Sequence, residues 1–137
     1  MNPLDAVAAA NAEFYAAFES ADLDRMRAVW AEEDETCCVH PGWDAVRGPS
    51  RVMRSWAVIF ANTTYIQFFL SDVDITVSGD LAVVSCAENI LTAPGEPEGD
   101  AKVVATNVFR HYPAGWRLVL HHGSPVIRQV VEGPADG

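Results

Sequence analysis

The amino-acid sequence predicts an α+β domain: three N-terminal helices packed on one face of a curved, mostly antiparallel sheet. Three observations carry this expectation. Apolar residues recur at helical spacing through the first part of the chain. From Thr63 onward, β-branched and aromatic residues alternate with polar ones. Turn residues at Ser78-Gly79-Asp80 and Pro113-Ala114-Gly115 then divide the second half into hairpins.

Asn2 before Pro3 reads as an N-cap followed by proline at the first helical position. Leu4, Val7, Ala8, Phe14, Tyr15 and Phe18 then share one face, with Asn11 filling a slot in the same stripe, to about Glu19. Asp22 caps a second helix that turns Leu23, Met26, Val29 and Trp30 inward. Its expected end is the acidic run at 32–35, because carboxylates oppose the dipole at a helix C-terminus. Thr36 to His40 is a short β run stopped by Pro41-Gly42, and the following segment to Ser50 reads as loop. Gly48-Pro49 opens a third helix whose inward face is Val52, Met53, Trp56, Ala57 and Phe60.

Between Thr63 and Val77 the apolar positions are Ile66, Phe68 and Leu70, then Val73, Ile75 and Val77. A period-2 pattern changes face only through an extra residue, so a β-bulge is predicted near Ser71-Asp72. Leu81 to Thr92 is the next strand, and residues 94–100 form an acidic, proline-rich loop expected to be exposed and mobile. A two-residue loop at Pro113-Ala114 sets the last hairpin, with Tyr112 opposite Gly115. His111 then faces Trp116, Phe109 faces Leu118, Asn107 faces Leu120 and Ala105 faces His122, all on the concave side. Arg110, Arg117, Val108, Val119, Thr106 and His121 fall on the outer side. That outer face is too apolar for plain solvent, which points to a partner subunit. One domain is expected over residues 1–128, with a flexible tail at 129–137.

Nineteen acidic against nine basic residues leave a net charge of −10, and no basic stripe exists for a nucleic acid or an anionic membrane. No apolar run reaches the roughly 20 residues that cross a bilayer, and the N-terminus has no basic signal region. Three cysteines, two of them adjacent, suit reduced thiols in the cytoplasm better than a disulfide framework. Adjacent Cys37 and Cys38 point to opposite faces of a strand, so with His40 they make a poor zinc site; no metal or cofactor is expected.

The helix NAEFYAAFESADLDRM, the VHPGW turn, the helix start RGPSRVMRSW, the hairpin SGDLAVV and the closing GWRLVLHHGSP, in this order, resemble the nuclear transport factor two-like superfamily in its SnoaL-like and ketosteroid-isomerase-like branch. The resemblance covers residues 4–128. It implies a cone-shaped, half-open barrel, a homodimer through the sheet and a pocket between the helices and the concave face. It implies no single reaction, because relatives include isomerases, cyclases, dehydratases, hydrolases and non-catalytic modules.

Tyr15 lies where the isomerases carry an oxyanion-stabilising tyrosine, although its place between Phe14 and Phe18 also suits a core aromatic. The isomerases add two pocket aspartates. Here the corresponding region offers His40 after the short strand and Asn107 or uncharged neighbours on the strand that carries it, so steroid isomerisation is not expected. His40, ending the short strand, could move a proton near neutral pH; it could equally be a turn histidine bonded to backbone. His122 is expected inside, as pocket polarity or as a satisfied buried histidine. Asn107, in mid-strand on the concave face, is the clearest polar pocket residue, with Asn89 second. Trp30, Trp43, Trp56, Phe60 and Phe109 would line the remainder. Two readings stay open. One is a pocket for a small apolar carbonyl or hydroxyl compound with cofactor-free acid–base chemistry of the isomerase, cyclase or dehydratase type. The other is a non-catalytic dimeric binding or assembly module whose own rings fill the cavity.

Overall fold

A computed structural model describes residues 2–93 and 101–127. The acidic loop at 94–100 and the tail expected at 129–137 lie outside the described residues. Helices α1 (Pro3–Ser20), α2 (Leu23–Val29) and α3 (Pro49–Ala61) lie against strands β1 (Cys37–Val39), β2 (Val46–Arg47), β3 (Ile66–Ser78), β4 (Leu81–Thr92), β5 (Ala101–Tyr112) and β6 (Gly115–Pro125). The sheet runs β2-β1-β6-β5-β4-β3 and does not close, leaving β2 and β3 as edges. All neighbours are antiparallel except β1 and β6, which run parallel.

The helix ends follow their caps. Asn2 Oδ1 accepts the Asp5 N–H at 2.8 Å, and Asp22 Oδ1 accepts the Arg25 N–H at 3.0 Å. α2 stops at Val29, earlier than its acidic sequence suggests. Trp30 leaves the helix to bridge Leu118 of β6, and the Ala31 N–H donates to the Leu118 carbonyl at 2.9 Å. Sheet pairing therefore ends this helix before the dipole does. In α3, Ser55 joins Val52, Met53 and Trp56 on the buried face, while Ala57 is exposed. Val46–Arg47, read as loop, pairs instead with Cys37 and Cys38; two residues are too few to show a period.

The bulge in β3 stands where the phase change placed it, between Ser71 and Asp74, with Asp72 in the left-handed region at φ 53°. β6 carries a second bulge that the alternation does not reveal. Phe109 pairs Leu118 as expected, but Val108 pairs Leu120, so Val119 is the inserted residue. Beyond it every side chain changes face. His121 is buried at 2% exposure, and His122 and Leu120 turn to the outer side. His111, beside the hairpin turn, is also exposed although its partner Trp116 stays half-buried.

The core sits between α1, α3 and the concave face. Phe14, Trp56, Phe109, Leu118, Met26 and Val84 are all fully enclosed. Each large apolar side chain removed from water contributes about 1.5–3 kcal/mol, and this layer holds the helices on the sheet. No helix among the described residues is long and apolar enough to cross a membrane.

Deleting Val119 removes the inserted residue but leaves Leu120 opposite Val108 and His121 opposite Asn107, so the strand becomes regular and His121 keeps its inward face. Urea unfolding of the deletion variant should show a loss of about 1 kcal/mol or less. A loss of about 3 kcal/mol or more would mean that the deletion drives His121 out of the interior.

Candidate active site

Two residues of α1 one turn apart, Asn11 and Tyr15, point at the sheet, and both are buried. Across from them, the inward positions of β4 run Ala82, Val84, Cys86 and Glu88, and those of β5 run Ala105, Asn107 and Phe109. β6 adds His121. Asn11, Tyr15, Glu88, Asn107 and His121 thus meet in a layer that is otherwise aliphatic and aromatic.

Their hydrogen bonds form one directed chain. Asn107 Nδ2 donates to Asn11 Oδ1 at 2.9 Å and to Tyr15 Oη at 3.3 Å. Asn107 Oδ1 lies 2.6 Å from His121 Nδ1. An amide oxygen only accepts, so the His121 proton must sit on Nδ1. The Tyr15 hydroxyl donates to Glu88 Oε2 at 2.5 Å, and Cys86 Sγ lies 3.7 Å from Tyr15 Oη.

Burial governs the charges of these groups. It pushes the Glu88 carboxyl up to about 7, against the lowering effect of the Tyr15 hydrogen bond. The Tyr15 phenol is raised well above its ordinary range, by burial first and the Glu88 charge second, and so remains a proton donor at neutral pH. Burial, together with the charges of His40 and His122, holds His121 down at about 3. The site therefore presents a phenol and a carboxyl that exchanges its proton near neutrality, beside a fixed amide and a neutral imidazole.

His40 belongs to a separate group. Its Nε2 lies 2.9 Å from Ser55 Oγ, whose hydroxyl donates to the Val52 carbonyl at 2.7 Å. Ser55 has one proton to give, so His40 Nε2–H donates to it. Cys38 Sγ lies 3.6 Å from Nε2, and the ring meets Trp43 and Trp56 edge-on at 4.8 and 4.7 Å. Burial lowers His40 to about 4. It is a neutral wall residue, separated from Tyr15 by the Trp56 and Phe14 rings, which lie 5.7 Å apart.

The sequence-predicted residues thus divide. Tyr15 and Asn107 meet as expected, and Phe109 is buried in the layer around them. His122 is corrected to the outer side, beside Glu35, Arg47 and Arg110, because the β6 bulge reverses its face. Asn89 is likewise corrected: it lies on the outer face, donating to the Phe69 carbonyl at 2.7 Å and to Ser71 Oγ at 2.9 Å. Trp43 covers His40 and is 39% exposed, while Trp30 is buried beside α2 and α3, away from Tyr15. Trp56 is central and its Nε1–H has no partner among the described residues; Phe60 is half-buried against it at 5.8 Å. Glu88 was missed: the inward neighbours of Asn107 on its own strand, Ala105 and Phe109, are uncharged, but a buried carboxyl enters from β4. The signal lay in the strand itself, since Glu88 shares parity with Ala82, Val84 and Cys86. Among the described residues, no group of three or more His, Cys, Asp or Glu side chains is arranged to hold a metal.

Comparison with known proteins agrees with this architecture. The profile of the SnoaL-like domain matches residues 7–128. A Streptomyces avermitilis protein of the NTF2-like family, named as a candidate dehydratase, is 42% identical, covering 91% of this chain and 97% of its own, with a TM-score of 0.82. A Thiobacillus denitrificans protein named as a candidate calcium/calmodulin-dependent protein kinase type II association domain is 35% identical, covering 87% of this chain and 94% of its own, with a TM-score of 0.79. The F-box protein SKIP8 of Arabidopsis thaliana is 26% identical over 122 residues, 89% of this chain; the chain spans about half the length of that relative, 50%. The chain belongs to the SnoaL-like family of the NTF2-like superfamily.

The buried titrating groups give opposite pH dependences. Glu88, raised above its unfolded value of 4.5, favours the folded state below pH 4.5 and loses that contribution as pH rises to about 7. His40 and His121, held at about 4 and about 3, contribute stability above their unfolded value of 6.5 and lose it as pH falls. Replacing Glu88 with Gln removes only the first effect. Relative to the parent, the variant should gain about 3 kcal/mol between pH 4.5 and 7.5 in chemical unfolding. A constant difference across that range would place the Glu88 titration elsewhere.

Proposed function

We propose that the protein binds a small, mainly apolar carbonyl or hydroxyl compound inside the cone and moves a proton on it without a cofactor. The observation that carries this reading is the Tyr15–Glu88 pair: a phenol and a carboxyl poised near neutrality, 2.5 Å apart in a dry, apolar layer. Tyr15 donates to the ligand oxygen as negative charge develops there, and Glu88 takes or returns the proton. Asn107 holds the phenol in place, and the Trp56 Nε1–H, which has no acceptor among the described residues, is a second donor in the same interior. The half-buried rings of Phe18 and Phe60 border this interior, packing edge-on or tilted against Trp56 and Phe68. The candidate dehydratase among the relatives supports chemistry of the isomerase or dehydratase type, in which a proton next to a carbonyl or hydroxyl is removed. Free buried thiols at Cys37, Cys38 and Cys86 suit a cytoplasmic setting.

Two probes test this reading without knowledge of the natural ligand. The first is 2-naphthol, whose binding reports a donor pair for an oxyanion. The second is α-proton exchange of small cyclic ketones in D2O, followed by NMR. Wild-type protein should accelerate exchange, and Glu88→Gln should lose about 100-fold or more of that acceleration. Tyr15→Phe should weaken naphthol binding by about tenfold or more. Absence of both binding and exchange in the folded wild-type protein would overturn the catalytic reading.

A second reading rests on its own observation, the apolar outer face of the sheet. Phe69, Val83 and Val104 are 54%, 42% and 48% exposed there, more than a solvent-facing sheet normally shows. A homodimer through this face accounts for it, and the relative named as an association domain supports assembly. Sedimentation at micromolar concentration should find a dimer, and Val83→Lys combined with Val104→Asp should yield a folded monomer. A monomeric parent would refute the interface.

A further inference from the structure

On the helical side of the molecule, away from Tyr15 and Glu88, a cleft of about 560 Å³ separates α2 from the first turns of α3. Its floor is apolar, formed by Leu23, Trp30, Val52 and Met53, and its volume suits a small ligand. Its rim is cationic. Arg27 stands on the α2 side and Arg54 on the α3 side, with Glu32 the one carboxylate lining the cleft. Only nine of the residues in this chain are basic against nineteen acidic, so two arginines facing each other over an apolar floor run against the overall charge.

Neither arginine is firmly engaged. Arg27 meets Asp24 at 3.3 Å, but their side chains are 50% and 97% exposed, and such a pair holds weakly in water. Arg54 has no ion pair or hydrogen bond among the described residues. α3 begins after Gly48, which offers no side chain to its first amides, and Ser50 of that first turn also lines the cleft. We propose that this cleft binds a small amphiphilic monocarboxylate, with its apolar body on Trp30 and Met53 and its carboxylate between Arg54 and Arg27. Among the lining side chains, Arg27 and Arg54 against Glu32 leave one positive charge once Arg27 turns from the exposed Asp24, which matches a monoanion better than a dianion. The guanidinium fork suits a carboxylate in two-point contact. The site is independent of the acid–base pair and shares none of its residues.

The test uses octanoate, with 1-octanol as its uncharged counterpart, on the full chain. The Trp30 indole N–H is buried and has no acceptor among the described residues, so its NMR signal, assigned with Trp30→Phe, reports what enters the cleft. Octanoate should shift that signal saturably, and the shift should weaken with added salt. Arg54→Glu, an exposed substitution checked for folding by circular dichroism, should weaken octanoate by about tenfold or more and leave 1-octanol unchanged. Three outcomes overturn the proposal: no saturable shift, equal affinity in the Arg54→Glu protein, or octanoate shifts confined to the Tyr15 and Glu88 layer.

Discussion

The side-chain amide of Asn107 is the constraint on which the arrangement of this interior depends. It sits in mid-strand with no exposed surface, where an unsatisfied amide would cost roughly 1–3 kcal/mol. Its partners come from two other elements, Asn11 and Tyr15 on α1 and His121 on β6. The amide therefore fixes the rotation of α1, the face of β6 and the tautomer of His121 together. An aliphatic residue of similar size would pack the same space, but Asn11, Tyr15 and His121 would lose this common reference.

Glu88 is the next link, and two effects compete on it. Desolvation favours the neutral acid; the Tyr15 hydroxyl favours the anion. Because desolvation is the larger effect, the carboxyl keeps its proton up to near neutrality and does not become a permanent buried charge. The Tyr15 phenol, raised in the same direction from a far higher starting value, cannot compete for the role of base. Environment thus separates the duties of two neighbouring acids, much as paired groups divide in other acid–base sites. His40, although neutral and buried, is bound to Ser55 and screened by tryptophan rings, so its chemistry is confined to the wall.

Much of the fold was legible in the residues. The caps at Asn2 and Asp22, the hairpin turns and the β3 bulge each leave a local mark, and each element stands near its expected place. What escaped was set by tertiary pairing. The β6 bulge left no mark because Leu118, Val119 and Leu120 are apolar at both parities, so a slip of one residue changes nothing in the pattern. That silence exchanged His121 for His122. α2 ended early because Trp30 found a strand partner in Leu118, far along the chain. In the site, Tyr15 and Asn107 were accessible from helical and strand periodicity. Glu88 could be read from the same alternation, but the apolar Ala87 beside it masked the phase, and a carboxylate is ordinarily assigned to solvent.

The parallel pairing of β1 with β6 also bears on how the molecule forms. Cys37 must find Leu120, and Trp30 must find Leu118, across more than half of the chain. Loop-closure entropy makes such contacts late events, whereas the β3–β4 and β5–β6 hairpins can form locally. Until β6 arrives, Trp30 and the Cys37–Val39 segment have no strand to join, and their apolar surface stays open to wrong partners. On a ribosome, the helices emerge first and wait for almost the entire sheet. The last antiparallel strand is therefore a timing element: its arrival converts a set of exposed helices into an enclosed domain, and a stall before it leaves the most aggregation-prone intermediate.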